Sequence, residues 1–145
     1  MRSLVLGGLL GLVMAGAAQA TPTQDAAKSF GLIGVWADDC SQPASRDNEY
    51  DTYELSADGS IREMYAWGAG TGTNNYRWTN AQLVGPDRIV MDGVFFGNGL
   101  GQHVVMVRQG NRARVLESRD STGRLLVVNG AFPSGGVSGW QTKCF

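Results

Sequence analysis

From residue 31 onward, apolar and polar positions alternate in short runs broken by glycine-containing turns, and no long stretch repeats with helical period. The alternation predicts strands at Leu32–Ala37, Tyr50–Ser56, Ser60–Trp67, Tyr76–Val84, Arg88–Phe96, His103–Gln109, Arg112–Arg119 and Arg124–Asn129. A last extended piece is expected to carry Trp140 to Cys144. Ahead of the strands, Gln24–Phe30 suits one or two helical turns, with Thr23 as N-cap and Gly31 as the stop. Asp58-Gly59 and Gly110-Asn111 are hairpin signals, because tight turns need residues that tolerate positive φ. Short loops between successive strands make neighbours antiparallel, so the sheet is expected to meander. Eight or nine meandering strands twist until their edges meet. The expected fold class is therefore all-β: a small antiparallel barrel of about eight strands with a short N-terminal helical turn. A two-sheet β-sandwich is the alternative that the same pattern allows.

The first 20 residues follow another pattern. Arg2, the uncharged apolar run Leu4–Met14 and Ala18-Gln19-Ala20 match a secretory signal peptide: a charged start, an apolar centre and small residues at the cleavage point. The expectation is a leader over 1–20 and a β-barrel domain over 21–145, periplasmic or secreted. A membrane span needs about 20 mainly apolar residues, and no run of that kind follows the leader.

The whole chain carries a formal charge of −1. A near-neutral domain lacks the basic footprint of a nucleic-acid binder. Charge is nevertheless uneven: residues 21–100 hold 5 basic and 11 acidic side chains, and residues 101–145 hold 6 basic and 2 acidic. In a closed meander the late arginines (Arg108, Arg112, Arg114, Arg119, Arg124) would run beside the early acids (Asp38, Asp39, Asp51, Glu54, Glu63) and form cross-strand pairs. The functional alternative is a basic patch that attracts an acidic ligand.

Cys40 and Cys144 are the two cysteines. In an oxidising compartment an even count favours a disulfide, and two cysteines allow one pairing. It would close a loop of about 100 residues, worth roughly 4–5 kcal/mol in the chain-entropy picture, and tie the C-terminus to the first strand. The competing reading is two free thiols, one of them catalytic.

Gly34-Val35-Trp36 opens the first strand and resembles the G-x-W signature of the calycin group, which includes lipocalins, avidins and barrel metalloprotease inhibitors. The resemblance implies a barrel whose tryptophan, here Trp36, closes one end beneath a stacked arginine; Arg108 and Arg114 are the candidates. The layout is also similar to small exported bacterial proteins of unassigned activity that carry G-x-W, a cysteine just after it and another at the C-terminus.

Catalytic signals are sparse. His103 is the only histidine, too few for a zinc site, and no metal or cofactor is expected. Ser134 and Ser138 lie in a glycine-rich stretch without a G-x-S-x-G motif. Asp38-Asp39, Glu54 and Glu63 are expected to face water, the last two with a carboxylate pair across the hairpin as the alternative. Gly68–Gly72 and Gly97–Gly101 sit between strands and read as hairpin loops rather than phosphate loops. Aromatic residues carry the stronger pattern. Alternation puts Ile61, Glu63, Tyr65 and Trp67 on one face, with Tyr53 and Leu55, Tyr76 and Trp78, and Ile89, Met91 and Phe95 on the matching faces of neighbouring strands. Turned inward, these side chains build either a filled core or a ligand cavity. The cavity candidates are Tyr53, Tyr65, Trp67, Tyr76, Trp78, Met91 and Phe95. The function expected is a non-enzymatic binding module for an unknown, apolar or aromatic small ligand. The alternative is a protein-interaction or protease-inhibitor-like envelope protein acting through its N-terminal tail or loops.

Overall fold

The computed structural model describes residues 20–68 and 74–145. The leader expected over 1–20 and the glycine-rich stretch 68–72 therefore fall outside the described residues except for Ala20 and Gly68. The strands are β1 (Gly34–Ala37), β2 (Tyr50–Leu55), β3 (Ile61–Ala66), β4 (Asn74–Leu83), β5 (Arg88–Phe95), β6 (Gly101–Gln109), β7 (Arg112–Asp120), β8 (Leu125–Val127) and β9 (Gln141–Lys143). From β1 to β7 each strand pairs antiparallel with the next. β9 then lies between β7 and β1 and closes the ring. The result is an all-β, closed antiparallel barrel of eight strands, with β8 as an additional strand.

One topological detail departs from a pure meander. β8 pairs with Ser118 and Arg119 at the far end of β7, while β9 pairs with Arg112 and Ala113 at its start. Two short strands thus share one edge of β7: the expected Arg124–Asn129 strand is only β8, and the ring closes on β1 through β9, the extended piece expected over Trp140–Cys144. β8 spans only three residues, so it covers less than half of β7 and leaves the rest of that edge for β9.

Helix α1 (Pro22–Phe30) closes the base of the barrel. It is longer than expected, and its N-cap is Thr21 rather than Thr23. The Thr21 hydroxyl accepts from the Gln24 amide, and proline follows at the first helical position, where its missing N–H costs nothing. Thr23 instead sits inside the helix and donates to the Thr79 carbonyl on β4 at 3.2 Å. Gly31, at φ 78°, ends the helix in the left-handed region. Ala27, Phe30, Leu32, Trp36, Ile61 and Ile89 are fully buried in the packed base. Each large side chain there contributes roughly 1.5–3 kcal/mol. The expected N-terminal tail is thus a helix packed against the barrel, with Ala27 and Phe30 buried.

Trp36 donates its indole N–H to the Leu32 carbonyl at 2.7 Å and caps the base from within. The cation over its ring is Lys143, 5.8 Å away, and neither candidate arginine fills that place. Arg108 lies over Phe30 and donates to the Phe30 carbonyl, and Arg114 lies over Trp140. Lys143 reaches Trp36 because β9 is the neighbour of β1, in the register Trp36 opposite Lys143. A disulfide joins Cys40 to Cys144 beside the same seam, with their Cα atoms 5.4 Å apart.

The expected neutralisation of early acids by late arginines is not what the barrel does. Among the described residues the ion pairs are Arg77–Asp58, His103–Asp92 and Arg124–Asp120. Register explains the difference: Arg112 and Arg114 are taken up by Trp140, while Asp51 and Glu63 point inward.

Candidate functional site

Above the packed base the interior is hollow. A cavity of about 500 Å³ is lined by side chains from β2 to β8 and reaches a mouth where Asp38, Phe132 and Gly139 are exposed. The interior is therefore neither a wholly filled core nor a channel, because α1 and the packed cluster close the opposite end.

Strand alternation builds one wall. Tyr53 on β2 faces Glu63 on β3, and Asp51 faces Tyr65, so acids and tyrosines form a checkerboard. Tyr53, Tyr65, Trp67, Tyr76, Trp78 and Met91 all line the cavity. Their rings form a chain. Tyr65 stacks near Trp67 at 6.3 Å and meets Tyr76 edge-on at 5.6 Å. Tyr76 lies parallel to Trp78 at 5.3 Å. Phe95 is the exception among the candidates: it stacks on Tyr76 at 4.7 Å but does not line the cavity. It supports the ring that does.

Glu63 contradicts the expectation that it faces water. Glu54 does so, whereas Glu63 is 1% exposed, so the two do not form a carboxylate pair. Its two oxygens accept from the Tyr53 hydroxyl at 3.0 Å and the Trp78 indole at 2.5 Å, and the Tyr65 hydroxyl also bonds to it. Burial nevertheless pushes its pKa up to about 7, because desolvation outweighs these hydrogen bonds. Asp51 is 3% exposed. Its Oδ2 accepts from the Gln141 amide at 2.5 Å, while Oδ1 has no hydrogen-bond partner among the described residues. Its pKa is raised well above the ordinary value by burial first, then by the charges of Glu63 and Glu49. Glu49, bonded to Trp67, is raised by burial as well, and Asp38 stands at the mouth. Tyr53 and Tyr65 are likewise raised, mainly by desolvation.

Four carboxylates therefore line one cavity, and none is ion-paired among the described residues. The opposite wall mixes apolar Val104, Met106, Val115 and Val127 with polar Gln102, Arg114 and Ser118. Among the described residues no three His, Cys, Asp or Glu side chains converge as metal ligands would.

The catalytic candidates scatter. His103 pairs with Asp92 at 2.6 Å outside the cavity. Ser138 is buried in the cavity wall, and Ser134 is exposed in a loop. Asp39 is exposed and caps a local turn through Ser41. Of the stretch Gly97–Gly101, residues 97–100 lie in the β5–β6 connection and Gly101 opens β6. Sequence reasoning did not single out Glu49 or Gln141, nor Asp51 as a cavity residue. For Asp51 a signal existed: it stands two residues before Tyr53 and so shares its face.

Compared with known protein families, curated proteins and solved structures, the chain matches none.

Proposed function

We propose that this chain is an exported, non-enzymatic carrier or sensor that seats a small molecule in the barrel. The observation that carries the reading is the cavity of about 500 Å³, which is closed by α1 below, walled by aromatic rings and open at one end. That volume lies within the range of small-molecule sites, and an apolar wall with a few placed polar groups is their usual make-up. Export is supported by the leader-like residues 1–20 and by the Cys40–Cys144 bond, which persists in oxidising compartments. Kinship with the calycin group rests on Gly34, Trp36 and the eight-strand closure, and belongs to the same proposal.

A neutral fluorescent reporter, N-phenyl-1-naphthylamine, tests the reading. Saturable binding with one site per chain, weakened by Tyr76→Ala or by a bulky residue at Val104, is expected. Absence of saturable binding, together with a native mass spectrum free of any co-purified small molecule, overturns it.

A second reading, an interaction protein, is supported at the loops. Phe132 and Val137, beside the mouth, are 44% and 71% exposed. Pull-down with a Phe132→Ser, Val137→Ser variant tests that version: retention of every captured partner overturns it.

A further inference from the structure

Resting on the cavity reading, we infer that the preferred ligand is an organic ammonium ion with an aromatic body, held by Asp51 and Glu63 against the rings of Tyr65, Tyr76 and Trp78. The geometry supplies two independent reasons. First, none of the interior acids is ion-paired among the described residues, and four of them share the cavity with one cationic lining residue, Arg114. Asp51 is 3% exposed, lines the cavity and leaves Oδ1 without a partner among the described residues. Glu63 receives only donors, from Tyr53, Tyr65 and Trp78, which is the arrangement that favours a carboxylate over a carboxylic acid. A buried carboxylate without a cation is costly, and a bound ammonium would remove that cost by ion pairing and hydrogen bonding.

Second, the rings of Tyr65, Tyr76 and Trp78 line the same cavity as the acids. Tyr76 and Trp78 lie parallel, with an interplanar angle of 2°, and Tyr65 stands edge-on to Tyr76. Aromatic faces attract ammonium groups through the ring quadrupole, most strongly when water is excluded. The same rings offer a flat apolar surface for an aromatic body. An anionic ligand meets the opposite conditions: four carboxylates line the cavity, with Arg114 as the cationic lining residue, and its guanidinium is already over Trp140. A bare metal ion is disfavoured as well, because no group of three or more ligating side chains converges among the described residues.

Three near-isosteric probes isolate the effect of charge: tryptamine (cationic), tryptophol (neutral) and indole-3-acetate (anionic), each competed against N-phenyl-1-naphthylamine on the full, oxidised chain. Tryptamine is expected to bind at least about tenfold more tightly than tryptophol, with indole-3-acetate weakest. Asp51→Asn keeps shape and removes charge, so it should erase most of the preference for tryptamine over tryptophol. A cooperative circular-dichroism melt shows that the variant is folded, and Glu63→Gln, checked the same way, serves as a second variant. If the reporter binds but the three probes bind alike, or indole-3-acetate binds best, the inference is overturned and the cavity reading stands. A preference for tryptamine that survives in both variants also overturns it. If neither the reporter nor any probe binds, the cavity reading itself fails.

Discussion

The Tyr53 hydroxyl donates to Oε1 of Glu63 across the β2–β3 pair at 3.0 Å, with both side chains buried. The bond ties a titrating group to the barrel wall. Glu63 is held by donors that favour its ionised form and by a desolvation that opposes it, and desolvation is the larger effect.

Stability of the ligand-free protein should therefore fall as pH rises through the near-neutral range. Unfolded, the Glu63 carboxyl ionises near 4.5; folded, it ionises at about 7. Between these values the folded chain keeps a proton that the unfolded chain has released. Rising pH therefore favours unfolding, and the loss is complete above about 7. Asp51, raised by burial and by neighbouring Glu63 and Glu49, acts in the same direction. Asp39, Asp58 and Asp120, lowered first by their hydroxyl partners, act oppositely, but in the acid range below their ordinary 3.8. Melting followed by circular dichroism should give a higher midpoint at about pH 5 than at about pH 8, equivalent to roughly 2–4 kcal/mol. Glu63→Gln should shrink that gap. Equal wild-type midpoints at the two pH values would rule the effect out.

Cys40 and Cys144 are 104 residues apart and join the turn after β1 to the residue after β9. Chain ends fray unless held, and this bond holds β9 in the barrel seam. Cys144→Ser should lower stability by about 2–5 kcal/mol in guanidinium unfolding, with a β-rich spectrum retained below the new midpoint. Non-reducing peptide mapping should recover the Cys40–Cys144 cross-link. Two freely alkylated thiols in natively exported protein would contradict this account.

Gly93 faces Trp78 across the β4–β5 pair. A Cβ there would overlap the Arg77 carbonyl and would stand 2.8 Å from both Cα and Cε3 of Trp78. Glycine is thus what lets the Trp78 indole lie flat and reach Glu63. Gly93→Ala should cost about 1–3 kcal/mol and shift the tryptophan fluorescence spectrum. An unchanged spectrum with unchanged stability would show that the strand pair yields without moving the indole.

Much of this was readable from local chemistry. Strand positions followed from period-two alternation, and hairpins such as Gly110-Asn111 followed from residues that accept positive φ; Gly110 has φ 61°. The inward aromatic set followed from the same alternation. Helix α1 was placed correctly at its glycine end, but its start was misread, because Thr21 and Thr23 are equally good caps until Thr23 is seen bonding to Thr79. Gly93 passed unnoticed because a strand glycine gains meaning only from the side chain opposite it.

What the sequence determined by itself was thus the all-β class and the antiparallel order up to β7, each resting on short-range pattern; it favoured the barrel over a sandwich and a Cys40–Cys144 bond over free thiols, and closure of the sheet and the short Cα separation decided both. The tertiary structure alone decided that β8 and β9 share one edge of β7, which cation met Trp36, and whether Glu63 faced water or the interior. It also decided that the aromatic interior leaves a cavity. These depend on register and on volume, and neither is a property of any single segment. A face becomes interior only when closure selects it, and space remains only after every neighbouring side chain has been placed.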